Sequence, residues 1–213
     1  MKKNQSQELE KYFLKKGFLV VAGLDEVGRG ALAGPVVAAA VNIKNFSFLK
    51  NLKFKDSKCL SEKKREEFFT FFSARLEIKW GIGIVSERII DKINILEATK
   101  IAMKKAIFNL RKKGSKPDAL LIDGNFLLNS GLLEKSVIRG DESILSCKIA
   151  SIIAKVSRDK IMRKYSKKYP QYFFEKNKGY GTPEQIAAIK RWGFSPIHRQ
   201  SFCKKITSNL PKS

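Results

Sequence analysis

Two apolar runs rich in β-forming residues, 18–24 and 36–43, stand a short glycine-containing segment apart, and two carboxylates follow the first. Runs of this length without polar alternation mark strands covered on both faces. Such strands need helices on either side, which sets an α/β class with a central sheet flanked by helices. The segment between them, Gly28-Arg29-Gly30-Ala31-Leu32-Ala33-Gly34-Pro35, is turn-forming. Asp25 and Glu26 therefore stand where a buried strand stops. Charged side chains are seldom buried unless paired or metal-bound. The carboxyl end of a strand is also where α/β folds hold ligands.

Local signals place the other elements. Ser61 is suited to cap a helix that carries Glu62 in its first turn and runs to about residue 76. Residues 78–85 read as a strand. Asn94 with Glu97 three residues on opens a helix that stops at Gly114. Residues 119–122 form a short apolar strand ahead of Asp123-Gly124-Asn125, and residues 135–138 another strand. Ile149, Ile152, Ile153 and Val156 share one face of a long late helix, from about 143 to 168. Thr182-Pro183-Glu184-Gln185 starts a further helix that Gly193 ends.

Lysine and arginine number 43 against 20 acidic residues, a formal net charge of +23 spread along the chain rather than gathered in a tail. Such an excess attracts polyanions, and nucleic acid is the commonest inside a cell. No apolar signal core follows the first 16 residues, and Gly34 and Pro35 interrupt the longest uncharged stretch, so neither secretion nor a membrane span is expected. Cys59, Cys147 and Cys203 are odd in number and far apart, and His198 is the only histidine. That composition argues against a structural zinc site and a Ser-His-Asp triad, and it suits reduced thiols in the cytoplasm.

Against this basic background the acids stand out. Asp25-Glu26 and Asp123 end strands, and Asp141-Glu142 opens the long late helix. Clustered carboxylates repel one another and need a cation to hold them together. Hard oxygen ligands suit Mg²⁺ or Mn²⁺, and two such ions about 3.5–4 Å apart can support phosphodiester hydrolysis. Strand-end turns and a helix cap use the same residue types, so position alone leaves both readings open.

The residues from Gly23-Leu24-Asp25-Glu26-Val27-Gly28-Arg29-Gly30 to Val37 resemble the opening motif of bacterial ribonuclease HII. The resemblance continues through Asp56-Ser57-Lys58, Ser61 to Arg65, Asp123-Gly124-Asn125, Gly140-Asp141, Ala150 to Val156 with Arg158-Asp159, Lys178 to Thr182, and Pro196 to Phe202. It implies a ribonuclease H-like fold: a central mixed sheet flanked by helices, with a small helical C-terminal subdomain. It divides the chain into an N-terminal extension (1–17), a catalytic core (18–170) and a helical substrate-gripping region (171–213). It implies catalytic, metal-holding acids at Asp25, Glu26, Asp123 and Asp141, with Mn²⁺ or Mg²⁺ as cofactor and two-metal hydrolysis as mechanism. The implied partners are RNA–DNA hybrids and duplex DNA carrying ribonucleotides, cut on the 5′ side of a ribonucleotide, during replication and repair. A monomer is expected, and a sliding-clamp contact stays open.

The same resemblance implies substrate contacts at Gly28, Arg29, Gly30, Ser57, Lys58, Lys155, Lys178 and Tyr180. The Gly28-Arg29-Gly30 backbone is expected at the ribose 2′-hydroxyl, which distinguishes RNA from DNA, and Tyr180 on the neighbouring sugar. The chain departs from the family pattern at Cys59, Glu142 and Asn177, and the last puts one phosphate or junction contact in question. Asp159 lies beside Arg158 and reads as a structural ion pair, and His198 as a packing or hydrogen-bonding residue. Two alternatives are kept. Ribonuclease HIII carries an N-terminal substrate-binding domain, for which 17 residues before the first strand leave little room. A non-catalytic basic nucleic-acid-binding protein would account for the charge but not for acids at strand ends.

Overall fold

The computed structural model describes residues 8–49 and 60–207. Its five strands, β1 (Val21–Val27), β2 (Val36–Ile43), β3 (Ile78–Val85), β4 (Ala119–Asp123) and β5 (Leu133–Val137), form one mixed sheet in the order β3-β2-β1-β4-β5. β2 runs antiparallel to β1 and β3, while β4 is parallel to both β1 and β5. The helices are α1 (Glu8–Lys15), α2 (Glu62–Ser73), α3 (Glu87–Ile93), α4 (Ile95–Lys112), α5 (Gly140–Ser143), α6 (Leu145–Lys168), α7 (Phe174–Asn177), α8 (Pro183–Trp192) and α9 (Gln200–Thr207).

The strand side chains sort onto two faces with the pleat's period of two. Ala22, Leu24, Ala38 and Ala40 meet Ala98, Ala102, Ala106 and Leu110 of α4 on one face. Ala39 and Val41 meet Ile149, Ile152 and Ile153 of α6 on the other, joined by Phe72 of α2. The apolar runs of β1 and β2 follow from this double cover. Three helix starts carry the caps their sequences suggest. Ser61 accepts from Lys64 N at 3.2 Å, Asn94 from Leu96 N at 2.9 Å, and Thr182 from Gln185 N at 3.3 Å.

Several elements depart from the sequence reading. β1 continues through Val27, because its backbone stays paired to β2 as far as Val27↔Val37 whatever its side chains carry. Asp25 and Glu26 thus lie within the strand rather than after it. Asp141 sits on α5, a separate single turn before the long helix. Within the stretch expected as an extension, residues 8–15 form a packed helix. Phe13 joins Val21, Ala119, Leu121, Ile144 and Cys147, and Glu10 accepts from Ser146 N at 2.9 Å and Ser146 Oγ at 3.0 Å. A carboxylate there meets the unsatisfied N–H groups of the α6 N-terminus. α9 is held by Asp91, which accepts from the backbone N of Gln200 and Ser201. Ser57, Lys58 and Cys59 lie outside the described residues. Among the described residues no helix is long and apolar enough to cross a membrane.

Candidate active site

Pairing register brings the first two acids together. Leu24 lies opposite Ile122 on the parallel strands β1 and β4, so Asp25 and Asp123 follow side by side. Both leave the sheet on the face that α6 covers. α5 supplies the third acid. Its Gly140 N donates to Asp123 Oδ1 at 2.8 Å, docking the turn against the end of β4. Asp25, Asp123 and Asp141 each offer a carboxylate oxygen, all within 4.8 Å of one another.

Glu26 does not join that trio. Alternation turns it from Asp25, and its Oε1 meets Arg29 Nη1 at 3.2 Å. Its Oε2 is buried without a hydrogen-bond partner. Burial raises the Asp25 carboxyl well above its usual range, and the charges of Glu26 and Asp123 raise it further. The Ser151 hydroxyl and the Glu26 N–H, the latter at 2.7 Å, oppose that rise only in part. Burial likewise raises Glu26 against the pull of Arg29. In such a setting the ionised form of Asp25 is disfavoured until positive charge is brought in. A hard divalent cation would supply that charge. The all-oxygen donor set, together with the unused Glu26 Oε2, fits Mg²⁺ or Mn²⁺.

Around the acids lies a cleft of about 520 Å³. Gly28, Arg29, Gly30, Lys155 and Tyr180 line it, and so do Arg65 and Ser151, which are not among the contacts expected from sequence. Ser151 stands four residues, about one helical turn, after Cys147, whose backbone abuts Gly23, and Asp25 lies two residues on from Gly23 on the same face of β1. Lys178 does not line the cleft. Its Nζ donates to Glu175 O at 2.7 Å and lies 3.3 Å from Glu62 Oε1. Asn177 is buried and shapes a turn, donating to Tyr172 O and accepting from Gly179 N, both at 2.8 Å.

Asp159 is ion-paired, but with Lys155 at 2.9 Å rather than with Arg158. Residues one apart on a helix point different ways, whereas four apart they meet. His198 is buried against Tyr172, and its Nδ1 accepts from Ser195 N at 2.8 Å. Burial lowers its pKa to about 4, so the ring is neutral at physiological pH.

The approach of α6 to β1 depends on Gly23. A β-carbon there would stand 2.5 Å from Cys147 N and 2.6 Å from Ser146 C, both backbone atoms that cannot swing aside. Gly23→Ala is expected to destabilise the fold by about 1–3 kcal/mol, in the range of overpacked cores. It should also lower activity more than stability, since α5, α6 and Asp25 share that seam. Thermal unfolding and cleavage assays on the one variant check this; unchanged stability would refute the contact.

A family model described as Ribonuclease HII matches residues 22–205. A protein named Ribonuclease HII from Acetivibrio thermocellus is 50% identical over 195 residues, 92% of this chain and 74% of that one. The crystal structure of the ribonuclease H2 from Pyrococcus horikoshii OT3 superposes with a TM-score of 0.74 at 30% identity, covering 91% of this chain and 100% of that one. The structure of the PCNA:RNase HII complex from Archaeoglobus fulgidus gives a TM-score of 0.74 at 27% identity, covering 91% and 97%.

Proposed function

The chain belongs to the ribonuclease HII family and is a ribonuclease H acting on RNA–DNA hybrids, and from that premise we propose that it also nicks duplex DNA 5′ of a single embedded ribonucleotide. In this reading Asp25, Glu26, Asp123 and Asp141 hold divalent cations, Mn²⁺ or Mg²⁺. The observation that carries it is the meeting of three carboxylates, from two neighbouring strands and one docked turn, in a chain of net charge +23.

Bound there, the cations supply the charge that activates a water and steadies the departing oxygen in an in-line displacement. The protein's own groups do the positioning. Ser151 and the Glu26 N–H orient Asp25, and Gly140 N orients Asp123. Arg29 restrains Glu26 and stays 40% exposed towards solvent and substrate. Peptide groups of Gly28-Arg29-Gly30 read the ribose 2′-hydroxyl at close range, where a side chain would stand in the way. Tyr180 stacks on the adjacent sugar. Lys155 and Arg65, which line the cleft, contact phosphates; the family resemblance assigns the same role to Ser57 and Lys58, which lie outside the described residues. Cleavage leaves a 3′-hydroxyl and a 5′-phosphate, which suits removal of misincorporated ribonucleotides and of primers.

Three matched duplexes test this: DNA with one ribonucleotide, a full RNA–DNA hybrid and all-DNA, each with Mg²⁺ and with Mn²⁺. The first two should be cut, the first at a single position 5′ of the ribonucleotide, and the third left whole. Cutting of the hybrid alone would remove the single-ribonucleotide activity from the proposal.

A further inference from the structure

Two arginines of this chain are wholly buried, and neither makes its hydrogen bonds to a carboxylate. Arg158 of α6 donates from Nε to Pro35 O at 2.9 Å, from Nη2 to Ala33 O at 2.9 Å and from Nη1 to Lys178 O at 2.7 Å. Arg199 donates from Nε and Nη2 to Gly34 O at 2.9 and 2.8 Å, and from Nη1 to Arg29 O at 2.9 Å. All six bonds end on backbone carbonyls, and five of them on the stretch from Arg29 to Pro35. Burying a guanidinium is costly unless its donors are satisfied. A leucine or methionine of similar length would fill the same space without that cost. The carbonyl pattern is therefore what these positions select, and only the planar five-donor fork of arginine meets it.

The bonds join segments distant in sequence. Arg158 links the Gly28–Pro35 loop to Lys178, and its guanidinium carbon lies 5.4 Å from the centre of the Tyr180 ring. The loop amides complete the seam: Leu32 N and Ala33 N donate to Gly179 O at 2.8 and 3.2 Å, and Gly34 N to Ile197 O at 2.8 Å. Gly28 belongs to the same fit. Its φ is +92°, and a β-carbon would stand 2.2 Å from Arg158 Nε.

We infer that Arg158 and Arg199 are positioning residues for ribonucleotide selectivity, fixing the Gly28-Arg29-Gly30 peptides relative to the Tyr180 ring so that the peptides meet the ribose while the ring meets the sugar beside it. The inference rests on the proposed single-ribonucleotide activity and adds to it the parts that hold the sugar-reading loop. Neither arginine lines the cleft. Each acts through the loop carbonyls it binds. Their two buried positive charges also favour an approaching phosphate at the loop's outer face.

The test is a ratio of affinities, measured with Mn²⁺ in an Asp123→Asn background so that the duplex stays whole. The parent should bind a duplex with one ribonucleotide about tenfold more tightly than the matching all-DNA duplex, the upper end of what one net hydrogen bond supplies. Adding Arg199→Lys, which keeps the charge and loses the fork, should bring the ratio to about one while all-DNA affinity holds. A merely structural arginine would weaken both affinities together and leave the ratio, and that result overturns the inference. Should the parent show no preference, the single-ribonucleotide reading itself fails, independently of the arginines. Hydrogen exchange on the unsubstituted protein gives a second reading that no folding defect can confuse. The amides of Leu32, Ala33 and Gly34 should exchange as slowly as those of β1, and fast exchange would show a loop that the arginines do not fix.

Discussion

Asp123→Asn is expected to lower cleavage of a duplex with one ribonucleotide on the order of 10³-fold, about 4 kcal/mol of transition-state stabilisation, while hybrid binding holds. The substitution is nearly isosteric, so the effect isolates charge. Asparagine Oδ1 can still accept from Gly140 N, the 2.8 Å bond that docks α5. Asp141 therefore stays in place, and the backbone of the cluster with it. What goes is one of three negative charges whose oxygens lie within 4.8 Å. Substrate affinity in a chain of net charge +23 comes from phosphate contacts and counterion release, which this change leaves alone. Single-turnover cleavage and filter binding on the same preparation separate the two quantities. Cleavage at the unsubstituted rate would remove Asp123 from the metal-holding set.

The division between what the sequence disclosed and what it hid follows the range of the forces involved. β2 and β3 occupy the residues their apolar runs suggest, and Ser61, Asn94 and Thr182 cap the helices they were expected to cap. These are local signals, settled by a residue and its neighbours within one turn. The end of β1 is not legible in the sequence because pairing with β2 continues under Asp25 and Glu26, and backbone hydrogen bonds do not register side-chain charge. α1 escaped because its amphipathic face is short, although Leu9 and Phe13 stand four apart on it. Within the candidate site, motif order pointed to the acids, but nothing in the spacing says that Glu26 turns to Arg29 while Asp25 turns inward. Lys178 is the plainest case. A lysine in a motif suggests a phosphate, yet its amine is used by Glu175 O and Glu62, a partner 116 residues away. Arg158 and Arg199 stand within family-like segments, but their carbonyl partners are hidden for the same reason. Carbonyl positions depend on the path of the whole chain, and no spacing rule carries them.

Asp25→Asn should separate stability from function. In the unsubstituted protein, saturating Mn²⁺ at about 100 times its dissociation constant contributes about 2.7 kcal/mol. For a chain of this size that raises the unfolding temperature by about 5–10 °C. The variant should lose nearly all of that shift along with cleavage. Without metal the order reverses. The Asp25 carboxyl has its folded-state pKa raised, by burial first and by Glu26 and Asp123 after it. A carboxyl raised in this way is no burden below its unfolded value near 3.8, where it is protonated in both states. Its cost develops as pH rises towards the folded-state value, because the fold then opposes an ionisation that the unfolded chain accepts. Asparagine removes that cost, and its amide can donate to the neighbouring carboxylates. The metal-free variant should therefore be more stable than its parent by about 0.5–2 kcal/mol at pH 8, the usual gain from relieving a strained functional site. The gap should close as pH falls towards 4. Calorimetric melts at both pH values, with Mn²⁺ and with a chelator, read all four quantities. A metal-free variant less stable than its parent at pH 8 would mean that Asp25 is held by partners rather than by an absent cation, and the trio of acids would then be a structural cluster.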